Sequence, residues 1–200
     1  MKNSPFYLGL LLLFSCGKFE EHPVVTESSK NKNERKIGDK LDSLNGVYVF
    51  YNGAIDNIGN RNTSKDGYNI GLNYQCVEFV KRYYYQHLKH KMPDTYGNAK
   101  DFFDSSIKDG KINEKRNLLQ FQNPSKSKPM VNDLLIMDAS ITNPYGHVAI
   151  VSKVENEELE IIQQNPGPTA PSRATFSIIK VGRRYMVGSL RVLGWLRMKE

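Results

Sequence analysis

The chain has 200 residues, of which 39% are hydrophobic, 10% aromatic and 24% charged. This composition allows one globular domain with a substantial core and leaves little room for a second. The formal net charge is +7 at pH 7, but the basic residues are scattered and aromatic residues do not interleave with them, so the sequence does not indicate nucleic-acid binding.

The first residues, MKNSPFYLGLLLLFSC, are typical of a secretory signal. A basic start precedes an apolar run from Pro5 to Phe14, which is too short to span a bilayer as a permanent helix. The tetrapeptide LFSC resembles a bacterial lipobox, in which cleavage before the cysteine leaves a lipidated thioether. We expect a signal peptide over residues 1–15 and lipid attachment at Cys16. An ordinary signal peptide with an incidental cysteine is the alternative.

Residues 16–44 are polar and charged, with almost no apolar periodicity. Such a segment cannot repay the entropy of ordering, so we predict a flexible tether with a root-mean-square reach of roughly 30 Å. The folded domain is then residues 45–200. With the lipid anchor, we expect a monomer that is secreted across the inner membrane and held in the cell envelope, at the outer membrane on its periplasmic or surface face.

The first half of the predicted domain contains one strand and two helices. GVYVFYNG, residues 46–53, is rich in β-branched and aromatic residues and predicts a strand, and a loop rich in Asn, Asp and Gly follows. In QCVEFVKRYYYQHL, apolar residues recur at steps of three, four and four from Val77 to Leu88, which predicts a buried amphipathic helix. KDFFDSSIKDGKI predicts a second, shorter helix that ends near Gly110.

Five short β-prone runs separated by turn residues occupy the second half: DLLIMD, HVAIVSKV, LEIIQQN, FSIIKVG and LRVLGWLRM. This pattern is typical of an antiparallel sheet. Helices first and strands after predict an α+β fold, with N-terminal helices packed on a small antiparallel β-sheet.

Cys76 is a candidate nucleophile because of its position. If Cys16 is lipidated, Cys76 has no intramolecular disulfide partner. It lies in the first turn of the predicted helix, where unpaired backbone amides and the helix dipole lower the pKa of a thiol. Burial as a small hydrophobic residue is the alternative.

A nucleophilic thiol needs a base, and the chain has four histidines. His22 lies in the predicted tether, and His87 and His90 lie roughly 16 and 21 Å along the same helix as Cys76. The fourth, His147, follows a glycine turn at the start of a strand. It is the candidate base if Cys76 is catalytic, and otherwise a histidine at a strand edge is more often structural.

A third group usually orients the imidazole of such a pair. Gln163 and Asn165 lie on one face of the next strand because side chains alternate. A three-residue turn between the strands puts Asn165 directly opposite His147 and Gln163 diagonally on the same side. A four-residue turn puts them on opposite faces, so the sequence leaves this geometry open.

Three sequence elements together resemble the CHAP family of cysteine, histidine-dependent amidohydrolases and peptidases, and most closely the glutathionylspermidine amidase domain. In chain order they are YQCVEFVKRYYY, GHVAIV and QQN. The resemblance covers about residues 45–198 and implies a papain-like fold, with Cys76 as nucleophile and His147 as general base. In the family the glutamate of an EQN motif orients the histidine. Here Gln163 stands at that position, and Asn165 matches the family residue and is expected to share the role.

The family pattern extends the site to Gln75, where the Cys76 backbone amide and a neighbouring side chain would be oxyanion donors. A solvated glutamine is the alternative. Tyr74 and Tyr145 flank the two catalytic positions and could line the cleft, although ordinary packing also explains them. Calcium-binding members place several aspartates before the cysteine, whereas here Asp66 stands nearly alone. We therefore predict no metal and no cofactor.

Three functions follow from these expectations. The first is a cysteine amidohydrolase or peptidase that cleaves amide bonds in peptidoglycan peptides, since these are the abundant amides outside the cytosol. The second is a glutathionylspermidine-type amidase acting on a small amide substrate. The third is a non-catalytic lipoprotein that binds a partner through a decayed cleft. In each case the N-terminal lipid gives a membrane partner, and no nucleic acid is involved.

Overall fold

The computed structural model describes residues 35–167 and 169–199, so the predicted signal peptide, Cys16 and most of the tether lie outside the described residues. The described part contains twelve strands, one α-helix and one 3-10 helix. In chain order the elements are β1 (Lys40–Leu44), β2 (Val47–Phe50), β3 (Arg61–Thr63), β4 (Asn69–Leu72), α1 (Cys76–Gln86), the 3-10 helix (Ala99–Phe102), β5 (Lys111–Asn113), β6 (Leu118–Gln122), β7 (Leu134–Met137), β8 (His147–Glu155), β9 (Glu158–Ile162), β10 (Arg173–Val181), β11 (Arg184–Val187) and β12 (Val192–Arg197).

The architecture is mostly β-sheet. Eight strands form one antiparallel sheet in the order β11-β10-β9-β8-β7-β12-β6-β5, and β1–β2 and β3–β4 form two separate two-stranded sheets. The prediction of N-terminal helices packed on a small sheet was therefore wrong. One α-helix packs on a large sheet, because short polar runs that carry little periodicity pair as strands within the tertiary structure.

The predicted second helix is also wrong. Only Ala99–Phe102 turn helically, capped by Asn98 and Asp101, and β5 begins at Lys111. Asp104 Oδ1 accepts hydrogen bonds from the backbone and the hydroxyl of Ser106, at 3.0 and 2.6 Å. Such local bonds from a short polar side chain to the backbone compete with helix formation.

The core lies on both faces of the large sheet. On one face α1 packs Val80 and Tyr84 against Val148 and Ile150 of β8, all at 0% exposure. The opposite face buries a second cluster around Trp195, including side chains from β8 and β9. This division follows from the alternation of side chains along each strand. The start of α1 lies near the first residues of β8, because the Cys76 thiol contacts the backbone amide of Val148.

Regular secondary structure in the described residues begins earlier than the predicted domain boundary. Strand β1 occupies residues 40–44 and pairs with β2, with Leu44 opposite Val47. Asp42 of β1 binds Arg173 of β10, with 2.9 Å between Oδ2 and Nε. The last five residues assigned to the tether are therefore part of the fold. Among the described residues no helix is long and apolar enough to cross a membrane.

A β-bulge sets the register of the β8–β9 hairpin. The turn contains two residues, Asn156 and Glu157, and Glu155 pairs with Glu158. A two-residue turn alone would place His147 and Gln163 on opposite faces. The register shifts by one at Ser152, so that Ile150 pairs with Ile162. The bulge therefore returns His147 and Gln163 to the same face.

Candidate active site

Cys76 is the first residue of α1, as the sequence predicted. The N-cap residue, Gln75, has extended backbone angles, and its side chain does not cap the helix. The first helical hydrogen bond runs from Phe79 N–H to Gln75 C=O, at 3.1 Å. The N–H of Cys76 therefore has no acceptor within the helix. The residue as a whole is partly exposed, but its thiol is desolvated.

Strands β8 and β9 separate at the point where Cys76 meets the sheet. Their last pair is Ile150 with Ile162, after which the Gln163 backbone N–H donates to Ser172 C=O instead. The backbone amide of Val148 lies against the Cys76 thiol. Since His147 precedes Val148, the thiol lies at the end of β8 that carries the imidazole.

Only glycine fits at position 146, immediately before His147 at the start of β8. Its φ is 74°, in the left-handed region that favours glycine. A Cβ at this position would lie 2.7 Å from the carbonyl oxygen of Met137 and 2.9 Å from Cβ of Lys100. The sequence signal of a glycine turn before His147 is therefore explained by both the backbone angle and the close packing.

His147 is oriented by Gln163. His147 Nε2 and Gln163 Oε1 are 3.0 Å apart, and both residues are 6% exposed. Gln163 Nε2 donates to the Pro171 carbonyl at 3.0 Å, which fixes the amide with its oxygen towards the imidazole. Because that oxygen can only accept, His147 carries its proton on Nε2. Nδ1 is then unprotonated and available as a base.

Burial keeps both members of the pair neutral. It raises the pKa of the Cys76 thiol, against the opposing effect of the Val148, Val77 and Cys76 backbone amides. It also lowers the pKa of His147 from 6.5 to about 4, with a smaller contribution from the charge of Arg191 and an opposing one from the bond to Gln163. The expectation that the helix start would lower the thiol pKa was wrong, because desolvation outweighs the amides. At neutral pH the pair is thiol and imidazole.

Asn165 and Gln75 bind each other and not His147. Asn165 Nδ2 donates to Gln75 Oε1 and to the Ile55 carbonyl, each at 2.9 Å. Gln75 Nε2 donates to the Asn57 carbonyl at 2.7 Å. Both side chains thus hold the loop before β3 against the start of α1. The orienting contact to His147 comes from Gln163, and Asn165 does not share it.

The two tyrosines differ in their surroundings. Tyr74 has a φ of 65° and packs its ring against Phe50, with 5.5 Å between centroids. Tyr145 is 60% exposed, and its carbonyl accepts the Lys100 N–H at 3.1 Å. Tyr74 is therefore a packing residue beside the helix start, while Tyr145 lies on the surface before His147.

A small pocket of about 20 Å³ lies beside the orienting glutamine. Its wall is formed by the β1–β2 hairpin, the residues that follow β2, and the segment after β9, including Gln163 and Asn165. A pocket of this size holds about one water molecule.

Sequence reasoning missed the role of Gln164. It is fully buried, and its Nε2 donates to the Gln75 carbonyl at 3.0 Å and to Glu78 Oε2 at 2.9 Å. Glu78 in turn pairs with Arg82 at 2.6 Å inside the fold. The signal available in the sequence was a glutamate and an arginine four residues apart on a helix that is otherwise buried.

No group of three or more His, Cys, Asp or Glu side chains in residues 35–167 and 169–199 could hold a metal ion. Asp66 instead forms an ion pair with Lys91, and both side chains are about half exposed.

Comparison with known proteins identifies the family. Trypanothione synthetase from Crithidia fasciculata is 30% identical over 95 residues, which are 48% of this chain and 15% of that protein. Crystal structures of Ly7917, one of them with the hydrolyzing product of MDP, are 30% identical, cover 38% of this chain and 30% of theirs, and have a TM-score of 0.27. The CHAP domain profile matches residues 65–165, half of the chain, and includes Cys76, His147 and Gln163. The chain therefore belongs to the CHAP domain family.

Proposed function

We propose that this chain is a thiol amidohydrolase or peptidase with Cys76 as nucleophile and His147 as general base. CHAP membership and the trypanothione synthetase match support a hydrolase that acts on amide bonds. The observation that carries the assignment to residues is the bond between His147 Nε2 and Gln163 Oε1, because it leaves Nδ1 free to accept a proton.

The neutral state of both groups favours general-base attack over a preformed ion pair. As Cys76 Sγ bonds to the amide carbonyl carbon, the thiol proton passes to His147 Nδ1. The Cys76 backbone N–H, which has no helical acceptor, is suited to bind the oxyanion. His147 then gives its proton to the leaving amine as the C–N bond breaks. Water attacks the resulting thioester with His147 as base and restores the thiol.

The first candidate substrate is the peptide of peptidoglycan. The support comes from the sequence, because a signal peptide, lipidation at Cys16 and a tether would hold the domain in the cell envelope as a monomer beside the wall. The basic mature chain is compatible with an acidic polymer.

The second candidate is a glutathionylspermidine-type amidase. It is supported by the 30% identity to trypanothione synthetase and by the QCVEF and QQN sequence elements. Because this chain spans only 15% of that relative, the whole activity of the relative does not transfer, and the two substrates have to be compared directly.

The test is hydrolysis by the full chain of purified peptidoglycan and, separately, of glutathionylspermidine. Turnover of one substrate should be lost in Cys76→Ala and His147→Ala. His87→Ala is the matched control, because His87 lies at the end of the same helix as Cys76 and binds Asn45, so it should retain activity. If the wild-type chain cleaves neither substrate, the domain is a binding module.

A further inference from the structure

Gln164 connects the two halves of the candidate catalytic pair. Its side chain bonds to α1, while the preceding residue, Gln163, bonds to His147. Two consecutive residues thus reach the nucleophile and the base from one short piece of backbone at the end of β9. The position of Cys76 relative to His147 therefore depends on how firmly the backbone of Gln163 and Gln164 is held.

Every hydrogen-bonding position of the Gln164 amide is occupied. Its oxygen accepts from the Phe50 N–H at 2.8 Å and from Arg82 Nη2 at 3.4 Å. Its nitrogen donates to the Gln75 carbonyl at 3.0 Å and to Glu78 Oε2 at 2.9 Å. Since the Phe50 N–H can only donate, the amide cannot be turned over. At 0% exposure, no water competes for these bonds.

The bond to the Gln75 carbonyl acts on Cys76 through the peptide plane. The Gln75 C=O and the Cys76 N–H belong to one planar trans peptide and point in opposite directions. Holding the carbonyl with Gln164 Nε2 and with the Phe79 N–H therefore fixes where the Cys76 N–H points. That N–H is the candidate oxyanion donor.

We propose that Gln164 is a positioning residue that directs the Cys76 backbone N–H at the oxyanion. The inference rests on the proposed role of Cys76 as nucleophile, and it assigns to Gln164 the alignment of the group that stabilises the tetrahedral intermediate. Gln164 does not touch the reacting atoms.

The test compares two reactions of Cys76 that differ only in the need for an oxyanion donor. With p-nitrophenyl acetate, Sγ bonds to the carbonyl carbon, the thiol proton passes to His147 and p-nitrophenolate leaves, so a tetrahedral oxyanion forms on the way. With iodoacetamide, Sγ displaces iodide from a saturated carbon while the thiol proton passes to His147, and no oxyanion forms. Neither probe requires the natural substrate.

Gln164→Glu is the sharper of two variants. An ionised carboxylate still accepts from Phe50 and Arg82, but it cannot donate to the Gln75 carbonyl, and it repels the Glu78 carboxylate that accepts from Gln164 Nε2 in the wild type. Gln164→Met keeps a side chain of similar length but removes all of its polar contacts, and it replaces Gln164→Glu in the test if that variant does not fold. Gln120→Met is the matched control, because Gln120 is a 1% exposed glutamine on β6 that binds Asp104 and Asn113.

We expect acylation by p-nitrophenyl acetate to fall about 10-fold or more in the Gln164 variants, by analogy with the loss of an oxyanion donor, while alkylation changes less than about twofold. The control should keep the wild-type ratio of the two rates. Equal losses in both reactions, no loss in either, or a wild-type Cys76 that is alkylated but never acylated would overturn the proposal. A wild-type chain that acylates normally but leaves peptidoglycan and glutathionylspermidine intact would contradict the proposed substrates and leave the role of Gln164 supported.

Discussion

Gln163 Oε1 lies 3.0 Å from His147 Nε2, and Gln163 Nε2 lies 3.0 Å from the Pro171 carbonyl. A neutral amide thus orients the imidazole where the family motif has a carboxylate. It fixes the tautomer as a carboxylate would, but it adds no charge that favours imidazolium. Burial lowers the pKa of His147 to about 4, and the hydrogen bond to the neutral amide of Gln163 offsets only part of that effect.

Replacing this amide by a carboxylate should raise the pKa of His147. In Gln163→Glu the negative charge favours imidazolium, so the acidic limb of the pH dependence of kcat/KM should move up from about pH 4, with activity near neutral pH similar or higher. The loss of the donor to Pro171 should lower the thermal midpoint. NMR titration of His147 gives the pKa directly. A folded Gln163→Glu protein without activity would contradict the orienting role.

Burial of neutral His147 should make stability depend on pH. Its pKa is 6.5 when unperturbed and about 4 in the fold, so between these values the unfolded chain binds a proton that the folded chain does not. This contribution to the free energy of unfolding is present above pH 6.5 and is lost as the pH falls towards 4, by about 3 kcal/mol. Urea unfolding at several pH values should show this slope in the wild type and a shallower one in His147→Asn. Parallel curves for the two proteins would show that His147 titrates normally.

The bulge at Ser152 should be dispensable for activity, because Ser152 is the residue that the ladder leaves without a partner. In a chain without Ser152, the pair of Lys153 with Glu160 is followed directly by the pair of Val151 with Ile161, and Ile150 stays opposite Ile162. His147 and Gln163 should therefore remain on the same face, and turnover should be kept. Ser152→Ala is the control, because it removes the hydroxyl bonds to Glu160 and keeps the number of residues. Loss of activity in the deletion but not in Ser152→Ala, measured with the fold monitored by circular dichroism, would contradict this account of the register.

The anchor prediction concerns residues outside the described structure. Processing before Cys16 with acylation should give a membrane-associated protein, and Cys16→Ser should release the protein from the membrane fraction or leave it unprocessed. Mass spectrometry of the mature N-terminus shows whether the chain begins at an acylated Cys16. A mature chain that begins at another residue would rule out the lipobox assignment.

The sequence was sufficient to locate the helix start at Cys76, the strand start at His147 and five strands of the large sheet. These features carry local signals: helical periodicity from Val77 to Leu88, a glycine before His147, and β-prone runs bounded by turn residues. The family resemblance then linked Cys76, His147 and Gln163, which no local pattern could do.

The features that escaped prediction depend on contacts between distant segments. Strands β3 and β4 lie in a stretch rich in Asn and Gly, and they form because each supplies the other's backbone partners. The bulge at Ser152 leaves no mark in composition, so counting turn residues could not decide whether His147 and Gln163 share a face. Nothing in the sequence distinguishes Gln164 from other polar residues. Its role follows from its 0% exposure and from its hydrogen bonds to Gln75 and Glu78.

The raised pKa of Cys76 also bears on how this chain could survive in an oxidising compartment. The thiolate is the form that attacks peroxides and disulfides, so a thiol held protonated by burial is oxidised slowly. In the envelope location proposed above, where a lone cysteine has no partner for a protective disulfide, this burial would keep the nucleophile intact between turnovers. The thiolate would arise only when a bound substrate is in place for His147 to assist its attack.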